Sequence, residues 1–400
     1  MMTDTPNPRT SLSCTVRSGA HADGSDTDRA AVRASRVRLR LAAWWEANAR
    51  DLPWRFGRAT PWGVLVSEVM SQQTQMSRVV PYWTAWMARW PDAAALAAAP
   101  KSDVIAMWGR LGYPRRALRL QECARVVAAE YGDELPRTYD ALVALPGVGD
   151  YTASAVMSFA YGERIAVVDT NVRRVLSRVF AGEESRGGAA SAAERALAGA
   201  VLPCDDGGDD VAADASRNVS RDVPRDSGDV SRDVSRGVPH DVSRIASVTW
   251  NQSVMELGAV VCTAKNPLCD HCPVRDDCAF LAAGRPGLGE RRTRPRQRFQ
   301  GTDRQVRGIV LDALRRAAAA PDGSGAADGV LSSDGAAGGV AAGGVAAGGG
   351  AFGSGGTVLE RASVEALWRD RAQLDRCVAS LDEDGLIEIL PGGAIRLPLG

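Results

Sequence analysis

The stretch from Thr138 to Tyr161, TYDALVALPGVGDYTASAVMSFAY, decides how the chain folds. Each half has the apolar spacing of a short helix, and between the halves stands Leu145-Pro146-Gly147-Val148-Gly149. Pro146 ends the first helix, and the two glycines permit a tight turn whose unpaired N–H groups open the second helix. Such a turn suits a phosphate oxygen, but a plain packing corner between two helices has the same pattern.

The regions around this hairpin are also helical in pattern. Amphipathic stretches alternate with short Gly, Pro and Asp punctuation from Val32 to about Ala200, which predicts helices joined by tight turns. The clearest of these helices are predicted within residues 44–48, 61–75, 118–131, 139–145 and 172–180. Only the short apolar run Ile165–Val168 is ambiguous, so the sequence predicts a mainly α fold.

Two segments interrupt the helical pattern. Residues 205–244 repeat Asp-Val-Ser-Arg without any aromatic residue, and residues 317–356 are nearly all Ala, Gly and Ser. Neither composition can build a packed core, so both are predicted to be disordered. The predicted organisation is a disordered leader (1–31), a helical core with the hairpin at about 138–161 (32–204), a low-complexity insertion (205–244), the end of the core with a cysteine loop (245–285), an Arg-rich linker (286–303) and a small C-terminal domain interrupted at 317–356 (304–400).

Length and composition exclude several classes of protein. A chain of 400 residues with 45% hydrophobic and 24% charged residues can bury a large core and is not a disulfide-stapled miniprotein. No run approaches the ~18 apolar residues of a membrane span, and no apolar stretch near the N-terminus marks the chain for export. We therefore expect a cytoplasmic protein without membrane contact, in which eight cysteines favour metal or redox chemistry.

Four cysteines form a cluster in the sequence. Cys262, Cys269, Cys272 and Cys278 lie within seventeen residues at the spacing C-x6-C-x2-C-x5-C. Four thiolates can enclose a zinc ion or an iron–sulfur cube, and the spacing alone leaves both open. His271 lies inside the C-x2-C pair, but four cysteines need no further ligand.

Two carboxylates stand in unusual places. Glu68 interrupts the apolar helical run 64–70, where it lies either on a narrow solvated stripe or in a dry pocket that suits a general acid. Asp169 follows the run 165–168 and precedes a helix, so it is either a helix N-cap or a catalytic carboxylate, and one residue can be both. A protonated and an ionised carboxylate together would match glycosidic-bond chemistry.

The hairpin, the aspartate about twenty residues beyond it and the cysteine cluster follow one another in the chain. In this order they resemble the helix-hairpin-helix DNA glycosylase superfamily with a 4Fe-4S cluster. The stretch 67–75, SEVMSQQTQ, is similar to the signature of the adenine DNA glycosylases that act on adenine opposite guanine or 8-oxoguanine. Further similarities are Leu52-Pro53-Trp54-Arg55, Leu111-Gly112-Tyr113 and the segments 250–252 and 255–258, so the resemblance extends from about Val32 to Phe280.

The resemblance implies two helical lobes with a cleft between them, a 4Fe-4S cluster on the four cysteines, and a monomer that acts on A:8-oxoguanine or A:G mismatches in double-stranded DNA, associated with the nucleoid. Glu68 would protonate N7 of the adenine, and Asp169 would stabilise the deoxyribose cation. Gln73 and Tyr113 would enter the duplex beside the lesion. The other residues implied in DNA or base binding are Trp54, Arg55, Gly147, Gly149, Gln252 and Glu256.

Tyr151 separates this chain from the endonuclease III type. By resemblance, those enzymes carry at this catalytic position a lysine that forms a Schiff base and cleaves the strand. The whole chain has only Lys101 and Lys265, neither of them near the hairpin. We therefore predict a monofunctional glycosylase. The alternatives are an endonuclease III-like enzyme of other base specificity and a non-catalytic iron–sulfur DNA-binding protein, although neither carboxylate would serve DNA binding alone.

The C-terminal domain departs from the family, whose usual C-terminal domain is Nudix-like and helps to read 8-oxoguanine. Residues 304–400 instead have a pattern closer to a winged helix, with a β-hairpin within 381–397. Formal net charge is also unevenly distributed: −1 for residues 1–31, +6 for 32–204, −4 for 205–244, +4 for 245–307 and −5 for 308–400. The core is therefore basic enough to bind phosphate, whereas the C-terminal domain is expected to be a poor DNA clamp.

Overall fold

The computed structural model describes residues 24–185, 187–203, 242–290, 299–319 and 357–399, and at 24–27 and 242–246 only their backbone. The helices are α1 (Gly24–Asn48), α2 (Pro61–Ser71), α3 (Met76–Arg89), α4 (Ala93–Ala97), α5 (Lys101–Trp108), α6 (Arg115–Glu130), α7 (Tyr139–Ala144), α8 (Asp150–Phe159), α9 (Thr170–Leu176, continued by a π-helical turn, Ser177–Ala181), α10 (Ala192–Ala200), α11 (Val242–Val260), α12 (Ala279–Ala282), α13 (Asp303–Ala319), α14 (Arg361–Ala366) and α15 (Arg371–Glu383). The short strands are β1 (Val358–Leu359), β2 (Glu388–Ile389) and β3 (Ile395–Arg396). None of the helices in these ranges has the length and apolar character of a membrane span.

The chain forms two compact units, and the hairpin contributes to both. Among the described residues, the first unit contains 24–61, 137–143, 149–185, 187–203 and 242–290, and the second contains 62–136, 144–148, 299–319 and 357–399. Between α7 and α8, Val148 N–H donates to the Leu145 carbonyl at 3.1 Å, and both side chains are buried. The predicted helix–turn–helix is therefore present, and the mainly α fold class is confirmed.

The core of the first unit is a three-helix contact. Apolar residues recur at helical spacing on α1 (Val37, Leu41), on α9 (Val172, Val175, Leu176) and on α11 (Trp250, Val254, Leu257), and they pack into one cluster. A stripe with this period must be buried, since about 25 cal/mol is gained for each Å² of apolar surface that leaves water. Three of the four clustered cysteines pack against the same core, so the cysteine loop is attached to α9 and α11.

Tryptophans fill the helical part of the second unit. The Trp86 ring lies edge-on to Trp90 at 4.7 Å and to Trp108 at 5.6 Å between centroids, which is a favourable aromatic geometry. Trp83 Nε1 donates to the Gly63 carbonyl at 2.9 Å and thereby attaches α3 to α2. Most of the tryptophans between residues 44 and 108 are thus packing residues.

The C-terminal part of the second unit has the element order α13, β1, α14, α15, β2, β3. Its three strands form an antiparallel sheet of order β1-β3-β2, in which Ile389 faces Ile395. Val306, Val310 and Leu314 on one face of α13 pack with α15 and with Ile105 of α5. This is a winged-helix connectivity, as the sequence predicts, and its hairpin closes over residues 391–393.

Several predicted boundaries need correction. Helix α1 starts at Gly24, so part of the predicted leader 1–31 is helical, and α11 begins at Val242 within the predicted insertion. Helix α13 continues to Ala319 because its apolar face still contacts the core. The remainder of the leader, of the insertion and of the Ala/Gly tract lies outside the described residues, as do the five arginines of the linker.

Candidate active site and metal centre

Glu68 lies on a helix that the protein encloses almost completely. The nine residues Trp62–Met70 of α2 are all buried, and Glu68 itself is only 7% exposed. The solvated-stripe interpretation is therefore wrong, and the dry-pocket interpretation fits.

Asp169 is the N-cap of α9 in the first unit. One carboxylate oxygen accepts from Val172 N–H at 2.6 Å, and the other accepts from Asn171 Nδ2 at 2.9 Å. The N-cap interpretation is correct. Burial raises the pKa of Asp169, while the two hydrogen bonds and the charge of Arg174 oppose that rise. The carboxylate thus combines a fixed position with a partly dry environment.

Asn251 holds the chain that leads to Asp169. Its Nδ2 donates to the Ile165 carbonyl at 2.9 Å and to Ser158 Oγ at 3.0 Å, while its Oδ1 accepts from Val167 N–H at 3.3 Å. The run Ile165–Val168 forms no strand in the described structure, because this side chain supplies the partners that a neighbouring strand would offer. Asn251 therefore fixes the backbone of residues 165–167, which lead to the N-cap residue Asp169.

A line of hydrogen bonds joins Asp169 to the cysteine loop. Arg174 Nη2 donates to Asn171 Oδ1 at 2.8 Å and to the Gly258 carbonyl at 2.6 Å, and Arg174 Nε donates to the Cys262 carbonyl at 2.8 Å. A Cβ at Gly258 would lie 2.7 Å from Asn171 Cβ, so only glycine allows α11 to approach α9 this closely. Gly258 belongs to the segment 255–258 through which the sequence resembles the family, but the sequence predicts no role for it.

The hairpin glycines and Tyr151 lie where the sequence places them. Gly147 has a φ of +79°, and a Cβ there would lie 3.2 Å from Arg119 Cβ; Gly149 is the N-cap of α8. Both glycines are exposed, so their backbone is available to a ligand. Tyr151 lines an open pocket of about 280 Å³ together with Arg164 and Val168.

Gln73 and Tyr113 both have left-handed backbones. Their φ angles are +54° and +47°, which is uncommon for residues other than glycine and is typical of functional turns. Both side chains are exposed, and Tyr113 is 51% exposed. Because α2 ends at Ser71, the predicted helix over 61–75 is too long and Gln73 lies in a turn. The structure thus places both residues where they can reach a ligand.

Arg116 holds both of these turns and was not predicted. Its guanidinium donates to the carbonyls of Val69 (2.6 Å), Gln72 (2.8 Å) and Gly112 (3.0 Å). Burial lowers the pKa of Arg116 to about 10, so it remains charged at neutral pH. No sequence signal distinguishes it from Arg115, because its partners are backbone carbonyls.

Arg55 and Glu256 form a buried ion pair rather than a free polar pocket. Glu256 is fully buried and accepts from Arg55 Nη2 at 2.8 Å and from Arg50 Nη2 at 2.8 Å. Burial opposes ionisation of Glu256, but the hydrogen bonds from both arginines outweigh it and lower the pKa. The geometry therefore favours a structural role for this pair. The other two candidates, Trp54 and Gln252, are half-buried.

The four clustered cysteines line one pocket in the first unit. Cys262, Cys269, Cys272 and Cys278 surround it together with Arg178, Val261, Leu268 and Phe280, and none of the four forms a disulfide. In the described part of the chain, no three His, Cys, Asp or Glu side chains are placed to hold a single metal ion. Four thiols around one pocket can hold either a zinc ion or an iron–sulfur cluster.

The buried surroundings of these thiols make them poor nucleophiles. Burial raises the pKa of Cys272 to about 12, which keeps the free thiol protonated at neutral pH. Arg178 Nη1 lies 3.4 Å from Cys262 Sγ and can donate to it, and the fully buried guanidinium also pairs with Glu184 at 2.6 Å. A 4Fe-4S cluster bound here would supply a structural and one-electron redox centre.

Comparison with known proteins gives two family matches. The model of the HhH-GPD superfamily base excision DNA repair proteins matches residues 66–199, and that of the iron–sulfur binding domain of endonuclease III matches residues 262–278. An adenine DNA glycosylase of Mycolicibacterium smegmatis is 38% identical over 90% of this chain and 95% of its own length. One of Mycobacterium tuberculosis is 39% identical over 90% of this chain and 92% of its own length, and a human one is 38% identical over 60% of this chain and 38% of its own length.

Replacing Gly258 with alanine should destabilise the first unit. The helix propensity gain of up to ~1 kcal/mol is outweighed by an overpacking cost of about 1–3 kcal/mol, because the added Cβ meets both the side chain and the backbone of Asn171. Chemical denaturation measures the free energy of unfolding. Gly308→Ala is the matched control, since a Cβ at this α13 position meets nothing within 4 Å and should stabilise the protein slightly. Equal effects of the two substitutions would contradict the close contact.

Replacing Cys272 with serine should remove the cluster. The purified protein should lose its visible charge-transfer absorbance, its iron and its acid-labile sulfide, because one of four thiolate ligands is gone. Cys123→Ala is the control, since this buried cysteine lies outside the pocket and should leave all three unchanged. A wild-type protein that binds zinc and shows no visible absorbance would contradict the assignment of a 4Fe-4S cluster.

Proposed function

The chain belongs to the adenine DNA glycosylase family, and on that premise we propose that it removes adenine opposite 8-oxoguanine or guanine in double-stranded DNA. It acts in base excision repair as a monofunctional enzyme and a monomer. The observation that carries the proposal is the environment of two carboxylates: Glu68 is buried in an apolar helix, and Asp169 is fixed as a helix cap with a raised pKa.

In the proposed reaction, Glu68 is the general acid. Its protonated carboxyl donates a proton to N7 of the adenine, and the bond between the base and C1′ of the deoxyribose breaks with its electron pair going to the base. Adenine then leaves as a neutral molecule. Burial on α2 supports this role because it holds the carboxyl away from bulk water.

Asp169 is the proposed electrostatic partner of the sugar. Bond cleavage leaves an oxocarbenium ion on the deoxyribose, and the ionised carboxylate stabilises this positive charge until water adds to C1′ and loses a proton. Val172 N–H and Asn171 hold the two oxygens in place before the reaction, so little reorganisation is needed. Asn251 supports this arrangement through residues 165–167.

Access to the adenine requires that it leave the base stack. We propose that Gln73 and Tyr113 enter the duplex and that the backbone of Gly147 and Gly149 binds a phosphate. Both turns are held by Arg116, and both wedge side chains are exposed. We do not place Arg55 and Glu256 in the base pocket, because their side chains form an ion pair with each other.

Single-turnover excision tests the catalytic assignment. Glu68→Gln and Asp169→Asn should each lower the rate on duplexes with A opposite 8-oxoguanine by about 10²–10⁴, the usual contribution of a general acid or a preorganised charge. Binding of the duplex should persist. We expect the wild-type rate to fall as pH drops through the raised pKa of Asp169, because only the ionised carboxylate stabilises the cation. Duplexes with A opposite G, C and T give the mismatch preference, and wild-type rates for both variants would overturn the roles.

Borohydride trapping tests whether strand cleavage accompanies excision. Tyr151 has no amine, so excision should proceed without a covalent enzyme–DNA adduct. Tyr151→Lys introduces an amine at that position and is the matched variant, in which an adduct should appear. A trapped adduct in the wild type at the rate of base loss would indicate the endonuclease III type.

A further inference from the structure

Three arginines of α1 contact the end of the cysteine loop. Arg33, Arg36 and Arg40 follow one another at spacings of three and four residues, which places them on the same face of the helix. All three donate hydrogen bonds to Asp277, the residue that directly precedes Cys278. Asp277 therefore joins the loop to α1 through three guanidiniums.

The carboxylate of Asp277 is buried. Its side chain is only 2% exposed, and one oxygen accepts from Arg36 Nε at 2.7 Å while the other accepts from Arg40 Nη1 at 3.1 Å. The two guanidinium side chains stay partly in water, at 45% and 38% exposure. A buried carboxylate is tolerated only where such partners compensate its charge, so the position of the loop depends on these arginines.

Arg33 extends this contact to the π-helical turn that follows α9. Its Nε and Nη2 donate to the Asp277 carbonyl at 3.0 and 2.6 Å, and Nη2 also donates to the Val179 carbonyl in the turn. The preceding carbonyl of the turn, that of Arg178, lies 3.7 Å from Cys278 Sγ. Helix α1, the π-helical turn and the loop thus meet beside the last of the four clustered cysteines.

The two ends of the cysteine loop are held by different residues. At the first cysteine, Arg174 Nε donates to the Cys262 carbonyl, and Cys262 N–H donates to the Leu257 carbonyl of α11 at 2.7 Å. At the last cysteine, the contacts come from α1 and converge on Asp277. A loop that is fastened at both ends keeps its ligands together, because one end cannot move away while the other stays in place.

We propose that Asp277, Arg33, Arg36 and Arg40 form a clamp that retains the metal cluster by holding the cysteine loop closed. Release of a metal with four ligands in one loop requires that the loop open locally, and the clamp opposes this opening. Its members are positioning residues that act through the neighbouring Cys278. The proposal rests on metal binding by the four cysteines and is independent of the proposed excision reaction.

Hydrogen exchange and metal release test the clamp in the full-length protein. Asp277→Asn keeps the size of the side chain but removes the charge that the arginines meet. The amides of residues 269–280 should exchange about tenfold faster, and a chromogenic iron chelator should remove iron about tenfold faster. Asp276→Asn is the matched control: this neighbouring side chain is 70% exposed and lies 3.3 Å from Arg40, so its loss should change neither rate.

A second variant and the salt dependence separate the clamp from a general loss of packing. Arg36→Met keeps an unbranched side chain at a half-exposed position, and it should also accelerate loop exchange and iron release. Combined with Asp277→Asn, it should add little, since each substitution removes the same ion pair. Higher NaCl concentration should accelerate iron release from the wild type by screening the half-exposed pairs, and Asp277→Asn should lose most of this dependence.

Three results would overturn the clamp. They are wild-type rates of loop exchange and iron release in both Asp277→Asn and Arg36→Met, an equal acceleration in Asp276→Asn, and fully additive effects in the double variant. Hydrogen exchange reports the position of the loop whichever metal the thiols hold, and excision of adenine by the wild type is measured in parallel. Failure of the clamp is thereby distinguished from failure of the cluster assignment and of the proposed function.

Discussion

The close helix contact between Gly258 of α11 and Asn171 of α9 is the constraint on which the functional parts of the first unit depend. Because no side chain separates the helices, the Arg174 guanidinium reaches the Gly258 carbonyl and the Cys262 carbonyl at once. Asp169 begins α9, and the cysteine loop follows α11. The separation of α9 and α11 therefore constrains the positions of both the carboxylate and the cysteine loop.

Buried arginines hold much of the remaining structure. Arg178 is paired with Glu184, Arg173 with Glu194, and Arg55 with Glu256, and the three guanidiniums are almost fully enclosed. Removing one partner of such a pair leaves a buried charge and costs about 3–5 kcal/mol, whereas an exposed pair contributes less than ~1 kcal/mol. These residues position loops around the cysteine pocket and α11. Their strong charge is therefore mainly structural, even in a protein that binds a polyanion.

The sequence predicts features that depend on residue type at a fixed spacing. The hairpin with Gly147, the cap at Asp169 and the cysteine cluster are of this kind, because local backbone geometry and ligand chemistry need only neighbours in the chain. Features that depend on distant backbone atoms are not predictable in this way. Arg116 binds carbonyls at Val69, Gln72 and Gly112, and Gln73 with its positive φ directly follows one of these carbonyls. The resemblance identified Gln73 as a wedge, but its position in a turn appears only in the structure.

The distribution of charge is the clearest example of a feature that the sequence alone does not predict. A net charge sums over all faces of a domain, whereas a ligand meets one face, and potentials fall off over a Debye length of ~8–10 Å. Helices α13 and α15 belong to one small domain. Arg304 and Arg307 of α13 line a cavity of the second unit together with Arg78 and Arg116, whereas acids predominate among the exposed charged residues of α15. The sum of −5 for residues 308–400 contains only −1 from α15 and omits Arg304 and Arg307, so it does not describe the basic face of α13. Because its basic partners Arg78 and Arg116 lie more than 180 positions earlier in the chain, only the folded second unit brings the positive charge together.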